Sequence, residues 1–511
     1  MKIKIGLCTP NPGWEIVLSQ EGFCFEIIEK DFDLEQFALV IPNCEFVENN
    51  KNLLLEYITK NGLILTDKET FPILLGIGVH KRKISYIIPK KNSLFSHLGL
   101  VDFYSQFGLP NNNSLQILDE DLHIYDYSNQ SGNVAIVSFS INDLILSQSS
   151  VRKRFYAERK ELPSEVVSIV SKGKIRELIS RIILQNFFKL TIPLVQKWYY
   201  PSGTENAFIF RIDTDFCSAE DAMNLYALCE KYTINATWFV DTQDEKMLSE
   251  VYSSFTQHEI ALHCENHKVY KSYEENYNNI LFAQNKLIKC GIAAKGFAAP
   301  FGEWNASLGK AIEYLDFEYS SEFTLDYDDL PFYPFFDNHF SSVLQIPIHP
   351  VSVGRLRRAH FTDQEMVQYY KSIIDYNFSR NLPVILYHHP HHKKLNVWGE
   401  IFAYIKTKNF WNPTMHEFAK WWNIRSSHNF SYTFSDGKIS VNTDNAHDVD
   451  FRLLDFQKGS AVIHSYVSYK IDELSLNMKL PVRFNEKKSM RQYHWRDSLN
   501  NYEQRKAKKK Q

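Results

Sequence analysis

The sequence predicts an α/β protein, with an N-terminal α/β domain over residues 1–147, a (β/α) barrel over 204–425 and a small β-domain, read as a β-sandwich, over 426–486. Three observations carry this. Short apolar runs alternate with amphipathic helical stretches in both larger parts, the order that parallel sheets require. At 511 residues the chain is long for one core, and 44% hydrophobic with 14% aromatic residues supplies more than one. Beyond Asn429 the pattern changes to short β-rich runs around an Asp436-Gly437 hairpin signal.

In the first part, Lys2–Leu7, Phe37–Pro42, Leu63–Thr66 and Asn133–Phe139 read as strands. Asn52–Lys60 reads as a helix that stops at Asn61-Gly62. This pattern resembles the class I glutamine-amidotransferase-like, or flavodoxin-like, fold. A glutaminase needs a nucleophilic cysteine on a glycine-flanked elbow. Cys8, Cys24 and Cys44 lack that context, so the expected role is packing or substrate presentation.

Residues 148–203 read as a basic helical connector with an apolar stripe over Lys174–Leu190, and Arg152-Lys-Arg154 as a solvated helical face. The turn-rich Trp198–Gly203 marks a boundary. From Phe208 to about Ile424 the order strand, loop, helix recurs. The apolar strands include Ala236–Val240 and Leu382–His388, and the helices include Ser218–Tyr232, Tyr273–Cys290 and Glu365–Phe378. Such units suggest a barrel with functional residues at the carboxyl ends of its strands.

The chemistry concentrates in two strand ends. Phe208-Ile-Phe-Arg-Ile-Asp-Thr-Asp215 ends in two acids, and Ile260-Ala-Leu-His263-Cys-Glu-Asn-His267 ends in two histidines four apart. Two imidazoles and a carboxylate with an open position make a zinc-type catalytic site. A lone His-x-x-x-His is weak evidence, but two acids ending an apolar strand are costly unless paired or metal-bound. The rival reading makes those acids caps of the helix that follows, near Ser218 and Asp221. His258 reads as a structural hydrogen-bonding residue rather than a third ligand. His388, His389, His391 and His392 form either a surface loop or a strand end that carries a catalytic histidine.

Four motifs in order resemble the polysaccharide deacetylases, the NodB-homology carbohydrate esterases, whose fold is a distorted (β/α) barrel. They are Asp213-Thr-Asp215, Gln257-His-Glu-Ile-Ala-Leu-His263 to His267, Ala298-Ala-Pro300-Phe301-Gly302, and His388-His389-Pro390. The resemblance implies that Asp215, His263 and His267 hold a divalent metal, Zn by preference with Co or Ni as alternatives. It makes Asp213 the general base, with the two acids' roles exchangeable. It makes His389 the acid, and Phe301 and Trp304 the substrate and oxyanion residues, the oxyanion donor lying at Phe301 or beyond because Pro300 has no N–H. Ala298 stands where the family has an arginine. Arg211 is expected to replace it, because residues two apart on a strand share a face.

A net charge of −3 gives no general attraction to nucleic acid, and the basic tail 487–511 offers at most a weak contact with anionic lipid. Seven scattered cysteines and an N-terminus without a signal-like apolar core suggest a cytoplasmic protein. The expected function is removal of acetyl from an N-acetylated amino sugar in glycoconjugate biosynthesis. The alternatives are a metal-free amidohydrolase of the same superfamily and a non-catalytic carbohydrate-binding or scaffold member.

Overall fold

A computed structural model describes residues 3–28, 33–111, 115–129, 132–444 and 449–492. The chain forms two compact units. One comprises residues 1–147, 170–202 and 423–480, and the other 148–169, 203–422 and 481–511.

The first unit is built on a seven-stranded sheet in the order Phe25–Ile27, Ile5–Leu7, Leu39–Ile41, Leu63–Thr66, Gly132–Val137, Ile124–Asn129, Gln116–Asp119. The first five strands run parallel, and the last two are added by antiparallel pairing. Two three-stranded antiparallel sheets complete the regular strands near its end. The first is Phe430–Ser435, Lys438–Thr443 and Ser468–Lys470, and the second pairs Phe451–Asp455 with both Gly459–Ile463 and Leu194–Lys197. The expected small β-domain therefore takes a strand from residues whose composition suggests a helical connector.

The connector itself differs from its reading. Residues Lys172–Lys189 are helical, but Ser150–Arg154 and Ser164–Ser168 form an antiparallel pair in the second unit. Arg152-Lys-Arg154 thus lies on a strand. Lys153 is buried with its Nζ 3.3 Å from the Tyr327 hydroxyl. Cross-strand pairing decides this, and local periodicity does not register it.

The second unit carries a curled parallel sheet in the order Leu344–Gln345, Tyr319–Ser320, Gly296–Phe297, Glu259–Cys264, Ala236–Asp241, Asn206–Asp213, Val384–His388. The short strand Phe410–Trp411 also pairs with Asn206–Asp213. The two end strands share no ladder, so the sheet is an open half-barrel. A bond from His349 N–H to the Ile385 carbonyl, at 2.9 Å, spans the gap.

Asn206–Asp213 is buried along its whole length, as a central parallel strand covered on both faces must be. Phe208, Phe210 and Ile212 point outward onto helices, with Phe210 4.6 Å from the Trp398 ring and 5.1 Å from Phe402. Each such side chain contributes about 1.5–3 kcal/mol by leaving water. The alternate residues Arg211 and Asp213 therefore face the inside of the half-barrel.

Within the described residues, the C-terminal segment packs on the second unit. Phe484 stacks between Tyr156 (5.0 Å) and Tyr376 (4.2 Å), and Arg491 donates to the Arg154 carbonyl at 3.0 Å. This apolar anchor holds residues 481–492 on the second unit. Residues 493–511 of the basic tail lie outside the described residues.

Candidate metal and catalytic site

Parallel strands deliver their carboxyl ends to one rim, and the predicted residues meet there. Asp213 ends its strand, His263 lies near the end of Glu259–Cys264, and His389 follows Val384–His388. Asp213, Asp215, His263, His267, Phe301 and His389 all line one cavity of about 560 Å³, within the size range of small-molecule sites.

Asp215, His263 and His267 each offer a ligand atom, all within 4.8 Å of one another. Asp215 Oδ1 lies 3.8 Å from His263 Nε2, and Oδ2 lies 3.8 Å from His267 Nε2. These distances are too long for hydrogen bonds. They are near the roughly 3.4 Å between two atoms bound tetrahedrally to one zinc-sized ion. His263 Nδ1 is 2.6 Å from the Ala298 carbonyl, a group that only accepts, so Nδ1 carries a proton and Nε2 is the nitrogen turned toward Asp215. Burial first, then the neighbouring His263, lowers His267 to about 4, so it is a neutral imidazole near pH 7. Asp215 Oδ1 is buried and forms no hydrogen bond of good geometry among the described residues. A buried carboxylate whose two oxygens each face one imidazole nitrogen fits a divalent cation.

Asp213 is held differently. Arg211 Nε donates to Oδ1 at 2.7 Å and a terminal nitrogen to Oδ2 at 2.9 Å, a bidentate clamp. Arg211 is itself fully buried and anchored on Ser321, at 2.6 Å to the carbonyl and 3.1 Å to the hydroxyl. Its guanidinium lies between the rings of Phe239 (5.0 Å) and Tyr387 (5.7 Å). Burial alone would raise the Asp213 carboxyl, but Arg211, with help from His263 and His389, holds it below the usual carboxylate range. The side chain expected to stand in for the motif arginine is in contact with the acid it was assigned to.

The rival assignments separate cleanly. Ser218 caps the helix Ala219–Tyr232, its hydroxyl accepting from Asp221 N–H at 3.1 Å, so Asp213 and Asp215 are not the caps. His258 Nδ1 accepts from Ala236 N–H at 3.0 Å, and its Nε2 lies 3.2 Å from Glu230, which makes it a structural residue. His389 Nε2 is 3.4 Å from Asp215 Oδ1, and His391 Nδ1 is 2.9 Å from the Asp215 carbonyl oxygen. Trp304 is a correction: it does not line the cavity. It packs on Phe336 with ring centres 5.6 Å apart, and its backbone N–H donates to Thr324 Oγ1.

Two phenylalanines flank His267 with left-handed backbones, Phe216 (φ 59°) at 5.8 Å and Phe301 (φ 59°) at 4.7 Å. Non-glycine residues adopt this conformation at a cost of about 1–2 kcal/mol each. Strain of this kind clusters at functional sites. Gly302 also has φ +59°, and a Cβ there would lie 2.3 Å from the Phe323 ring, so only glycine fits the third motif.

Several wall residues carry no sequence signal of their own: Glu165, Tyr387, Arg355, Arg357 and Arg358. The run Arg355-Leu-Arg-Arg358 is the nearest to one, but it reads as an ordinary basic helix end.

Residues 212–320 match the family model described as polysaccharide deacetylase. No curated protein matches the chain. Among solved structures, the chain is similar to a Mycobacterium smegmatis protein assigned to the polysaccharide deacetylases, at 15% identity over 44% of this chain and 93% of that one, with a TM-score of 0.39. It is similar to a family 4 acetyl xylan esterase from Clostridium thermocellum in complex with a cobalt ion, at 13% identity over 42% and 91% of the two chains and a TM-score of 0.31. A family 4 pseudoenzyme from Bacillus anthracis is similar at 11% identity over 53% and 91%, with a TM-score of 0.32.

Proposed function

We propose, from the premise of a polysaccharide deacetylase match over residues 212–320, that this protein is a metal-dependent deacetylase of an N-acetylated amino sugar. The observation that carries the reading is the Asp215–His263–His267 cluster beside an Asp213 clamped by Arg211. Asp215, His263 and His267 would hold a divalent metal, with zinc, cobalt and nickel all compatible with two imidazoles and a carboxylate. Such an ion supplies Lewis acidity that acidifies water and polarises a carbonyl.

The chain's own residues do the rest. Asp213, kept ionised by Arg211, accepts the proton of the attacking water. The Phe301 N–H is the assigned donor to the developing oxyanion, as Pro300 has none. His389 in its protonated form gives a proton to the departing amine nitrogen. The products are acetate and a free amino sugar.

A non-catalytic reading draws support from Ala298 in the motif arginine position, and Arg211 answers it with the same kind of charge on the same acid. In the first unit, Cys8 is pushed up by burial to about 12 and Cys24 to about 11, and burial also raises Cys44. Thiols held protonated do not serve a glutaminase, so we assign the amidotransferase-like part a structural or substrate-presenting role.

The test combines metal content with acetate release from acetylated sugars. One ion per chain and metal-dependent acetate release are expected. Acetate release that survives complete metal removal would favour the metal-free amidohydrolase instead. Metal uptake without acetate release from any acetylated sugar would favour the non-catalytic reading.

A further inference from the structure

The cavity has three carboxylates, and each is already accounted for. Asp213 is clamped by Arg211, and Asp215 belongs to the metal cluster. Glu165, nearly buried, takes Arg355 through two bonds, from Nε to Oε2 and from a terminal nitrogen to Oε1 at 2.8 Å. Arg357 and Arg358 line the same cavity from the helix Val353–Arg358, and both are exposed. Arg357 has no carboxylate partner among the described residues, so it is a guanidinium in excess of the cavity's own acids.

The helix is fixed where it stands. Arg355 ties it to the strand Ser164–Ser168. At Gly354 a Cβ would lie 2.5 Å from His392 Cε1, so the absence of a side chain lets the helix seat directly on another wall residue. A cation is favoured at any helix carboxyl end, but Arg355 in the same turn already supplies one. Service to the helix dipole does not require Arg357 to face the cavity of Asp215 and the two histidines.

We propose that the acetylated amino sugar carries a phosphoryl group, which Arg357 and Arg358 bind, so that the substrate is a glycosyl phosphate rather than a neutral glycan. Both guanidinium groups line the one cavity, where a dianion with several acceptor oxygens could engage them, and arginine engages phosphate through paired N–H donors. The phosphate undergoes no covalent change. Water adds across the amide C–N bond, acetate leaves, and the proton passes to the amine. This proposal rests on the deacetylase reading above.

The test uses the full chain loaded with zinc and four substrates. These are N-acetylglucosamine 1-phosphate, the corresponding nucleoside-diphosphate sugar, the polyprenyl-diphosphate sugar and the neutral methyl glycoside. The three phosphorylated arms distinguish free, nucleotide and lipid sources of the same group. At least one should exceed the neutral glycoside about 10-fold or more in kcat/KM. The double variant Arg357→Gln/Arg358→Gln should lower that preference by about 10- to 100-fold, mainly through KM, the equivalent of one or two charge-assisted bonds. Arg357→Lys/Arg358→Lys should restore part of it. A neutral glycoside turned over as well as every phosphorylated one overturns the proposal while leaving the deacetylase reading intact. So does a preference that the double variant leaves unchanged, which would assign the arginines to the helix dipole only. Calorimetry of N-acetylglucosamine 1-phosphate separates the two ideas from the other side. Binding that the double variant loses, with no acetate released from any of the acetylated sugars, supports the phosphate site and overturns the deacetylase reading. Absence of both binding and turnover overturns both.

Discussion

Replacing Arg211 by methionine removes the guanidinium clamped on Asp213 and leaves that carboxylate buried. Breaking a buried pair by deleting one partner costs about 3–5 kcal/mol. Arg211 also holds Ser321 through two bonds, which places the cost toward the upper end. The sign of the pH effect follows from the influences on Asp213. With Arg211 present its folded pKa is depressed below the unfolded 3.8, so the group stabilises the protein above that pH and loses this only as pH falls through the depressed value. Without Arg211, burial dominates and the carboxyl rises. Stability should then fall as pH increases from about 4 toward 7, in a window where this group leaves the parent protein flat. Turnover needs the ionised form, so the acidic limb of kcat/KM should move to higher pH, and activity near neutrality should fall by roughly 100- to 10,000-fold, the usual weight of a positioned base. Urea unfolding at several pH values and acetate release across pH measure both. An acidic limb that stays in place, with activity within about threefold of the parent, would refute the claim that Arg211 positions and ionises Asp213.

Three further outcomes are expected. His263→Ala and His267→Ala should each lose the metal while remaining folded; atomic absorption that finds normal stoichiometry in both removes the ligand assignment. Asp213→Asn should keep the metal and lose about 100- to 10,000-fold in turnover, whereas Asp215→Asn should bind metal weakly and regain activity when metal is added; the opposite pattern would show the two roles exchanged. Glu322, raised by burial from 4.5 to about 7 against the pull of the Ala299 N–H at 3.0 Å, contributes stability that is complete below about pH 4.5 and is lost as pH rises through about 7. Glu322→Gln keeps an acceptor for Ala299 and should gain about 2–3 kcal/mol relative to the parent between pH 5 and pH 9, at about 1.4 kcal/mol for each pH unit separating the folded and unfolded titrations; a difference in urea midpoint that is the same at pH 5 and pH 9 would contradict it.

What the sequence alone determined about this protein lies within a few residues along the chain. The period of two in Asn206–Asp213 puts Arg211 and Asp213 on one face, and their bidentate contact is local enough to follow from that period. The same holds for His263 and His267, whose spacing after an apolar strand places both at one rim. The parallel α/β character is legible because strand and helix periods differ. Register and long-range packing decided the rest. The carbonyl that sets the His263 tautomer belongs to Ala298, 35 residues away, and reaches it because Leu262 pairs with Phe297. The Glu165–Arg355 pair spans 190 residues, and the strand that carries Glu165 reads as connector because a hairpin's stability lies in its partner strand. Trp304 sits three residues from Phe301, yet the turn at Phe301 and Gly302 sends one to the cavity and the other onto Phe336. Backbone periodicity fixes which residues share a face, but only the order in which strands come together fixes which faces share a cavity.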